Sequence, residues 1–222
     1  MRTYYTGRHA RRYNQTWRHY SEKTLAATRS AIDLARLQDA GGNLDRPLRV
    51  LDAGCGTGLL IAQLVPLIPH AEWYGVDESQ EMLSQAALLL QGYPHIHLVQ
   101  ASLRGGVTAG LPYQPASFDL ITCTNTLHYL EDPGAVLLGL KQLLAPLGQL
   151  VIEDYARREF PFPWKAFEWF IKRDDPGHIR AYTLTEAQAL CWQAGLRVAL
   201  AKTFTIDVLW KGWVVRTEIE GV

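Results

Sequence analysis

The sequence predicts a doubly wound α/β fold, a mostly parallel seven-stranded sheet that ends in an antiparallel hairpin. Three observations carry that expectation. Short apolar, β-rich runs alternate with longer helix-like segments between Arg49 and Asp154, the order that covers a parallel sheet with helices on both faces. Three alternate glycines, Gly54, Gly56 and Gly58, follow the first of these runs and precede a helix-like one, as in the first strand-to-helix turn of a Rossmann-like sheet. The last two β-rich runs are joined by too few residues for a crossover helix, so they pair as a hairpin.

Taken in order, residues 1–45 read as an N-terminal arm and helix. Arg2, Arg8, Arg11, Arg12 and Arg18 precede the first acid, Glu22, with Tyr5, Tyr13 and Trp17 among them. Such an arm either packs its aromatics on the body as a solvated leader, or binds phosphate or RNA. It runs without a break into helix-like sequence rich in bulky aromatics, unlike a transit peptide, and reads as part of the mature protein. Strands are expected at Arg49–Ala53 and over 73–77, 96–100, 118–123 and 149–154, with a helix over 59–67. Asp132 before Pro133 is an N-cap with proline in the first turn, and that helix should close before a turn at 146–148. Thr183 and Glu186 make a capping box, and Gly195 a C-terminal cap. The hairpin strands are expected over 197–204 and 208–216. Residues 155–181 carry Tyr155, Phe160, Phe162, Trp164, Phe167 and Trp169 and read as an aromatic cap over a flat or apolar ligand; the alternative is a local core with the hairpin.

The chain of 222 residues suits one domain with a full core. Lys and Arg number 22 and Asp and Glu 22, so no net charge draws it toward nucleic acid or an acidic membrane. Cys55, Cys123 and Cys191 are isolated, without zinc or redox spacing, which fits a reducing, cytoplasmic setting. No apolar run is long enough to span a bilayer. No cluster of carboxylates suggests a metal.

The glycine loop sits in "VLDAGCGTGLL", with Asp52 two residues before the first glycine. Asp77, in "WYGVDESQEML", ends the next strand, where a ribose-binding carboxylate is expected; its other reading is an N-cap for the helix beginning near Ser79. A dinucleotide would place an anionic pyrophosphate over Gly-x-Gly-x-x-Gly, whereas this loop is Gly-x-Gly-x-Gly with a carboxylate beside it. That carboxylate suits a ligand with a cation near the loop. S-adenosylmethionine has one, the ammonium of its methionine end.

With "VLDAGCGTG" and "GVDESQEML", the stretches "LPYQPASFDLITCTNTLHYLEDP" and "LKQLLAPLGQLVIED" complete a pattern over roughly residues 48 to 154. It resembles the class I S-adenosylmethionine-dependent methyltransferases, in particular the small-molecule branch with the quinone-biosynthesis methyltransferases. The resemblance implies S-adenosylmethionine as cofactor and S-adenosylhomocysteine as product. It implies that Asp52, Gly54, Gly56 and Gly58 line the methionine and ribose region, that Asp77 takes the ribose hydroxyls and that Met82 packs near adenine. Thr124 and His128 would flank the sulfonium, and the N-terminal arm, residues 1–45 with Tyr5, Tyr13 and Trp17, would act as a lid over the site. Where the family often has an acid after the third strand, this chain has Ala101 and Ser102, with Leu103 beside them; Ser102 could accept from adenine in the acid's place.

The stretch "TNTLHYL" lacks the Asn or Asp, two prolines and aromatic common in enzymes that methylate nucleobase amines, which lowers a nucleic-acid reading. What remains is in-line transfer to an oxygen, nitrogen, sulfur or carbon of a small, aromatic or apolar acceptor. His128 is a candidate base, or a helix-start residue that packs. Glu153 and Asp154 end the fifth strand, but adjacent strand residues face opposite ways, so one of them faces the site. His178, in "DPGHIRAYT", is a third candidate, or a turn residue bonded to nearby backbone. Two other classes stand beside methyl transfer: a nicotinamide-dependent oxidoreductase, and a protein that binds S-adenosylmethionine without transfer.

Overall fold

Leu51, Ile121 and Ile152 point to one side of their strands and Val50, Leu120 and Val151 to the other, and all six are buried, so this sheet needs a layer of helices on each face. The computed structural model, which describes residues 7–42, 44–103, 111–159 and 162–219, supplies both layers. Arg2, Tyr5 and Phe160 of the expectations above lie outside the described residues, as do the side chains of Arg8 and Arg11.

Helices α1 (Gly7–Thr16), α2 (Arg18–Ala31) and α3 (Leu34–Gly42) precede strand β1 (Arg49–Ala53). Then come α4 (Leu59–Leu64), β2 (Glu72–Asp77), α5 (Gln80–Leu90), β3 (Ile96–Gln100) and β4 (Phe118–Thr124). The chain continues through α6 (Pro133–Leu143), β5 (Leu144–Tyr155), α7 (Trp164–Asp174), α8 (Leu184–Gln193), β6 (Leu196–Thr205) and β7 (Lys211–Ile219). The seven strands run in the order β3-β2-β1-β4-β5-β7-β6. β1 to β5 are parallel, and β7 is antiparallel to both β5 and β6, as the short final connection requires. Helices α2, α4 and α5 cover the Val50 face; α6 and α8 cover the Leu51 face. The strand order reverses between β1 and β4, so the loops after these two strands part and leave a crevice at their carboxyl ends. Among the described residues no helix is long and apolar enough to cross a membrane.

Several boundaries differ from the sequence expectation. The helix over 59–67 is α4 followed by a 3₁₀ turn, Val65–Leu67, whose Pro66 has no N–H to continue an α-helical ladder. The turn expected at 146–148 lies inside β5, which begins directly at Leu144; the register against β4 shifts between Phe118 and Leu120 to take it up. Gly148 is needed there for close approach, since a Cβ on it would lie 2.9 Å from the Phe118 carbonyl. β7 begins at Lys211 because Asp207 Oδ1 accepts from the N–H groups of Leu209 and Trp210, both at 2.8 Å, and turns the chain there.

The aromatic segment takes its second reading. Tyr155, Trp164, Ala181 and Ile206 form a small core with Tyr20, Phe162, Phe167 and Trp210 packed on it, and Trp169 and Phe170 are exposed. Among the described residues of this segment, only 175–177 reach the cavity beneath the N-terminal helices.

One ion pair, between an exposed guanidinium and a buried carboxylate, ties the approach to β1 to β4. Arg46 meets Asp119 in bidentate fashion at 2.7 and 2.9 Å, and Asp119 Oδ2 also accepts from Arg49 N–H at 2.8 Å. Asp119→Ala leaves that N–H unpaired and is expected to cost about 2 kcal/mol of stability. Urea unfolding with an unchanged m-value checks it; a loss under about 0.5 kcal/mol would show that Arg46 is solvated well enough for the pair to be dispensable.

Candidate functional site

The chain leaves β1 on three left-handed glycines, Gly54 at φ +82°, Gly56 at +52° and Gly58 at +77°. The N–H groups of Gly54 and Cys55 both donate to the Val76 carbonyl, at 2.8 and 2.9 Å, and pin the loop to the end of β2. Asp77 then clamps its crest. One carboxylate oxygen accepts from Gly56 N–H at 2.8 Å and the other from Ser79 N–H at 2.8 Å. The N-cap of α5 is Ser79, whose hydroxyl accepts from Met82 N–H, so Asp77 is not the cap. Burial raises the Asp77 carboxyl above its ordinary range, against those two N–H bonds.

Asp52 lies on the neighbouring strand, 2% exposed, and its Oδ1 accepts from the Thr122 hydroxyl at 2.8 Å. It has no ion pair among the described residues. Burial, opposed by the Thr122 bond and joined by the charge of Asp77, pushes its carboxyl up to about 7.

These groups form one end of a cavity of about 300 Å³. Asp52, Gly54, Gly56, Asp77, Met82, Leu103 and Thr124 all line it, so most of the sequence-predicted cofactor residues meet there. Two do not line it. Gly58 instead lets α4 approach α5, since a Cβ there would lie 2.8 Å from Leu90 Cδ1. Ser102 is exposed, with its hydroxyl 3.4 Å from Glu78 Oε2, and Glu78 is the one on the wall.

The other walls come from parts of the chain that the sequence did not single out together. Tyr13, Ser21 and Leu25 of α1 and α2 cover the cavity, and Thr57 of the loop donates to Asn14 Oδ1 at 2.6 Å. Asn125, Tyr129 and Asp175 close the far end. Asn125 sits at φ +49° after β4, a conformation asparagine tolerates better than most residues, and this is its only local signal. Asp175 opens the turn in "DPGH": its Oδ1 accepts from Gly177 N–H at 3.1 Å, and Oδ2 takes the Tyr129 hydroxyl at 2.5 Å.

The three candidate bases lie behind this wall rather than on it. Asp154 accepts from His128 N–H at 3.0 Å and from its ring Nδ1 at 2.8 Å. A carboxylate only accepts, so Nδ1 carries the hydrogen. The His128 carbonyl takes the N–H groups of Ile179 at 2.8 Å and Arg180 at 3.2 Å, which ties this turn to the loop carrying Asp175. His178 has both ring nitrogens engaged, Nδ1 with the Tyr155 hydroxyl at 2.5 Å and Nε2 with Glu168 at 3.0 Å. Burial, against the Glu168 bond, holds that imidazole below its usual range, so it is neutral, with Nε2 donating and Nδ1 accepting. Glu153 is wholly buried, and neither of its carboxyl oxygens has a hydrogen-bond partner among the described residues. Burial and the charge of Asp154 push its carboxyl far up. No group of three or more metal-ligating side chains occurs among the described residues.

A family model described as "Methyltransferase domain" matches residues 11–201. An uncharacterized methyltransferase of Bacillus subtilis, YcgJ, is 26% identical over 170 residues, 76% of this chain and 64% of that protein. A trans-aconitate 2-methyltransferase of Azoarcus sp. is 37% identical over 149 residues, 63% of this chain and 53% of that protein. The matched region spans from 31% to 64% of the length of these and two further curated relatives. In the crystal structure of the Bacillus YcgJ protein the fold recurs with a TM-score of 0.65 at 19% identity, over 84% of this chain and 99% of that one.

Proposed function

The chain belongs to the methyltransferase domain family, and from that premise we propose that it transfers a methyl group from S-adenosylmethionine to a small-molecule acceptor, leaving S-adenosylhomocysteine. The observation that carries the reading is the loop of left-handed glycines with two carboxylates, Asp52 and Asp77, on the same cavity wall. The residues fit the cofactor. A Cβ on Gly56 would meet only Met82 Cε, at 3.5 Å, so the space above the loop is open, and Asp52 is a buried carboxylate awaiting a cation. A pyrophosphate at the same place would face that carboxylate, which argues against a nicotinamide cofactor.

The cofactor supplies a methyl group on a sulfonium, whose positive charge is lost on transfer. Asp52 would hold the ammonium of its methionine end. Asp77, fixed by two N–H groups, keeps lone pairs for the ribose hydroxyls. Met82 and Leu103 would pack against adenine, with Glu78 in the polar position expected of Ser102, and Thr124 would stand between cofactor and acceptor. His128 acts as a positioning residue: Asp154 fixes its ring, and its carbonyl and its neighbour Tyr129 hold the loop of Asp175 against the cavity. The arm of α1 and α2 acts as a lid over both ends. Trans-aconitate, which the Azoarcus relative's name gives as its acceptor, is a polycarboxylate; it would meet no Lys, Arg or His among the described lining residues and is not carried over to this chain. The cysteines are free and buried, and a cytoplasmic setting belongs to the same reading.

Calorimetric titration with S-adenosylhomocysteine tests it. Micromolar binding is expected, with no response to NADH and a loss of about 1 kcal/mol or more in Asp77→Ala. No binding would overturn the reading. The titration also carries a proton signature. An ammonium beside Asp52 lowers its pKa, so near pH 6.5 binding should release a proton, and affinity should rise with pH until about 7 is passed. Repeating the titration in buffers of different ionisation enthalpy measures this, and Asp52→Asn should erase it. Without ligand the sign is opposite for folding: a carboxyl raised from 3.8 to about 7 weakens the fold progressively as pH rises through that interval.

A further inference from the structure

We propose that the end of the cavity away from the glycine loop takes a small molecule bearing an amine, bound as its ammonium. The inference rests on the methyl-transfer reading and names the class of acceptor. With Asp52 and Asp77 given to the cofactor, that end keeps Tyr13, Asn125, Tyr129 and Asp175 on its walls; Glu153 stands behind the lining, paired in register with Thr124 and joined to Asn125 by a backbone hydrogen bond of 2.9 Å.

Glu153 is the telling residue. It is 0% exposed, and neither carboxyl oxygen has a hydrogen-bond partner among the described residues. The parallel register pairs Asp52 with Thr122 and Thr124 with Glu153, so the four share the sheet face on which Asp52 and Thr124 reach the cavity. Asn125 repeats the pattern beside it: Nδ2 donates to the Thr24 hydroxyl at 3.1 Å, while Oδ1 is buried without a partner among the described residues. A third acid, Asp175, is fixed in the wall by Tyr129 and Gly177.

Buried acceptors left unpaired destabilise a site until a donor arrives. Here three such oxygens belong to two residues in backbone contact, Asn125 on the wall and Glu153 behind it, a carboxylate, Asp175, lies on the same wall, and no Lys, Arg or His lines the cavity among the described residues. An ammonium brings three N–H donors and a positive charge, matching both deficits. A carboxylate or phosphate would bring more acceptors and more negative charge. The aromatic faces of Tyr13 and Tyr129 suit a cation as well. An amine beside Glu153 would also restore its ionisation, which burial and Asp154 suppress.

The test uses the full chain saturated with S-adenosylhomocysteine and titrated at pH 7.5 with 2-phenylethylamine and 1,4-diaminobutane. Their counterparts are the anions 3-phenylpropanoate and adipate, and the neutral 2-phenylethanol. At least one amine is expected to bind about ten-fold or more tightly than its anionic and neutral counterparts. Glu153→Gln and Asp175→Asn should each weaken that amine by about ten-fold while leaving S-adenosylhomocysteine within about two-fold, which also shows that the variants fold. Amine binding should release a proton in the wild type and none in Glu153→Gln. Anions binding as well as amines, amine affinity indifferent to both substitutions, or no amine binding to a protein that holds S-adenosylhomocysteine would each overturn the proposal alone. Failure to hold S-adenosylhomocysteine would instead overturn the methyl-transfer reading, and this one with it.

Discussion

Gly54→Ala is expected to weaken S-adenosylhomocysteine binding by about 100-fold or more and to destabilise the fold by about 2 kcal/mol. Gly54 holds φ at +82°, and a Cβ built on it would lie 2.3 Å from Thr126 Oγ1 and 3.0 Å from Thr126 Cγ2. Thr126 has little freedom to withdraw, because its hydroxyl donates to the Thr124 carbonyl at 2.8 Å in the turn that follows β4. The methyl group therefore pushes apart the two loops whose separation makes the crevice. Since Gly54 and Cys55 are bonded to Val76, the displacement also draws Gly56 away from Asp77. Calorimetry reads the affinity and urea unfolding the stability. Gly92→Ala is the control, because nothing lies within 4 Å of a Cβ there. A Gly54→Ala protein that bound within about three-fold of wild type would show that the loop relaxes freely, and the packing argument would fail.

Trp213→Ala is expected to remove about 4 kcal/mol of stability and lower Tm by roughly 10 °C, without a matching effect on cofactor affinity. Trp213 is 0% exposed, opposite Asp154 of β5 and Thr203 of β6. It is the point where the parallel and antiparallel parts of the sheet meet. Its indole Nε1 donates to the Tyr182 carbonyl at 3.0 Å, just before the capping box of α8. Truncation opens a void in the core and removes one of the two donors to that carbonyl, which keeps the Arg157 N–H at 2.9 Å. Trp213→Phe separates the two effects, keeping most of the volume and losing the hydrogen bond, for about 1–2 kcal/mol. A Tm shift under about 4 °C for the alanine variant would mean that the core collapses into the space.

The glycine-loop end was legible because its demands are local. Left-handed backbone calls for glycine, and Asp77 needs only the ends of two adjacent strands to reach Gly56 and Ser79. The far end was not, because Tyr13, Asn125 and Asp175 come together only when α1 and α2 fold back over the sheet. The two histidines show the same limit. Their residue type suggests a base, but His128 is engaged by Asp154, 26 positions away, and His178 by Tyr155, 23 away, and no pattern along the chain announces either contact. Ser102 fails for a smaller reason: it lies just past the end of β3, and its neighbours Ala101 and Leu103 take the wall while it turns to solvent. Strand boundaries slipped where a single side chain decided them, as Asp207 does before β7.

The α1–α2 arm joins both halves of the cavity, through Asn14 on the glycine loop and through Ser21 and Leu25 on the shared wall. A cover held by two occupants obeys reciprocity: whatever free energy one bound molecule contributes to closing the arm, it contributes equally to retaining the other. Under the proposed lid role, cofactor and acceptor raise each other's affinity by the same factor, over and above their direct meeting at the methyl group.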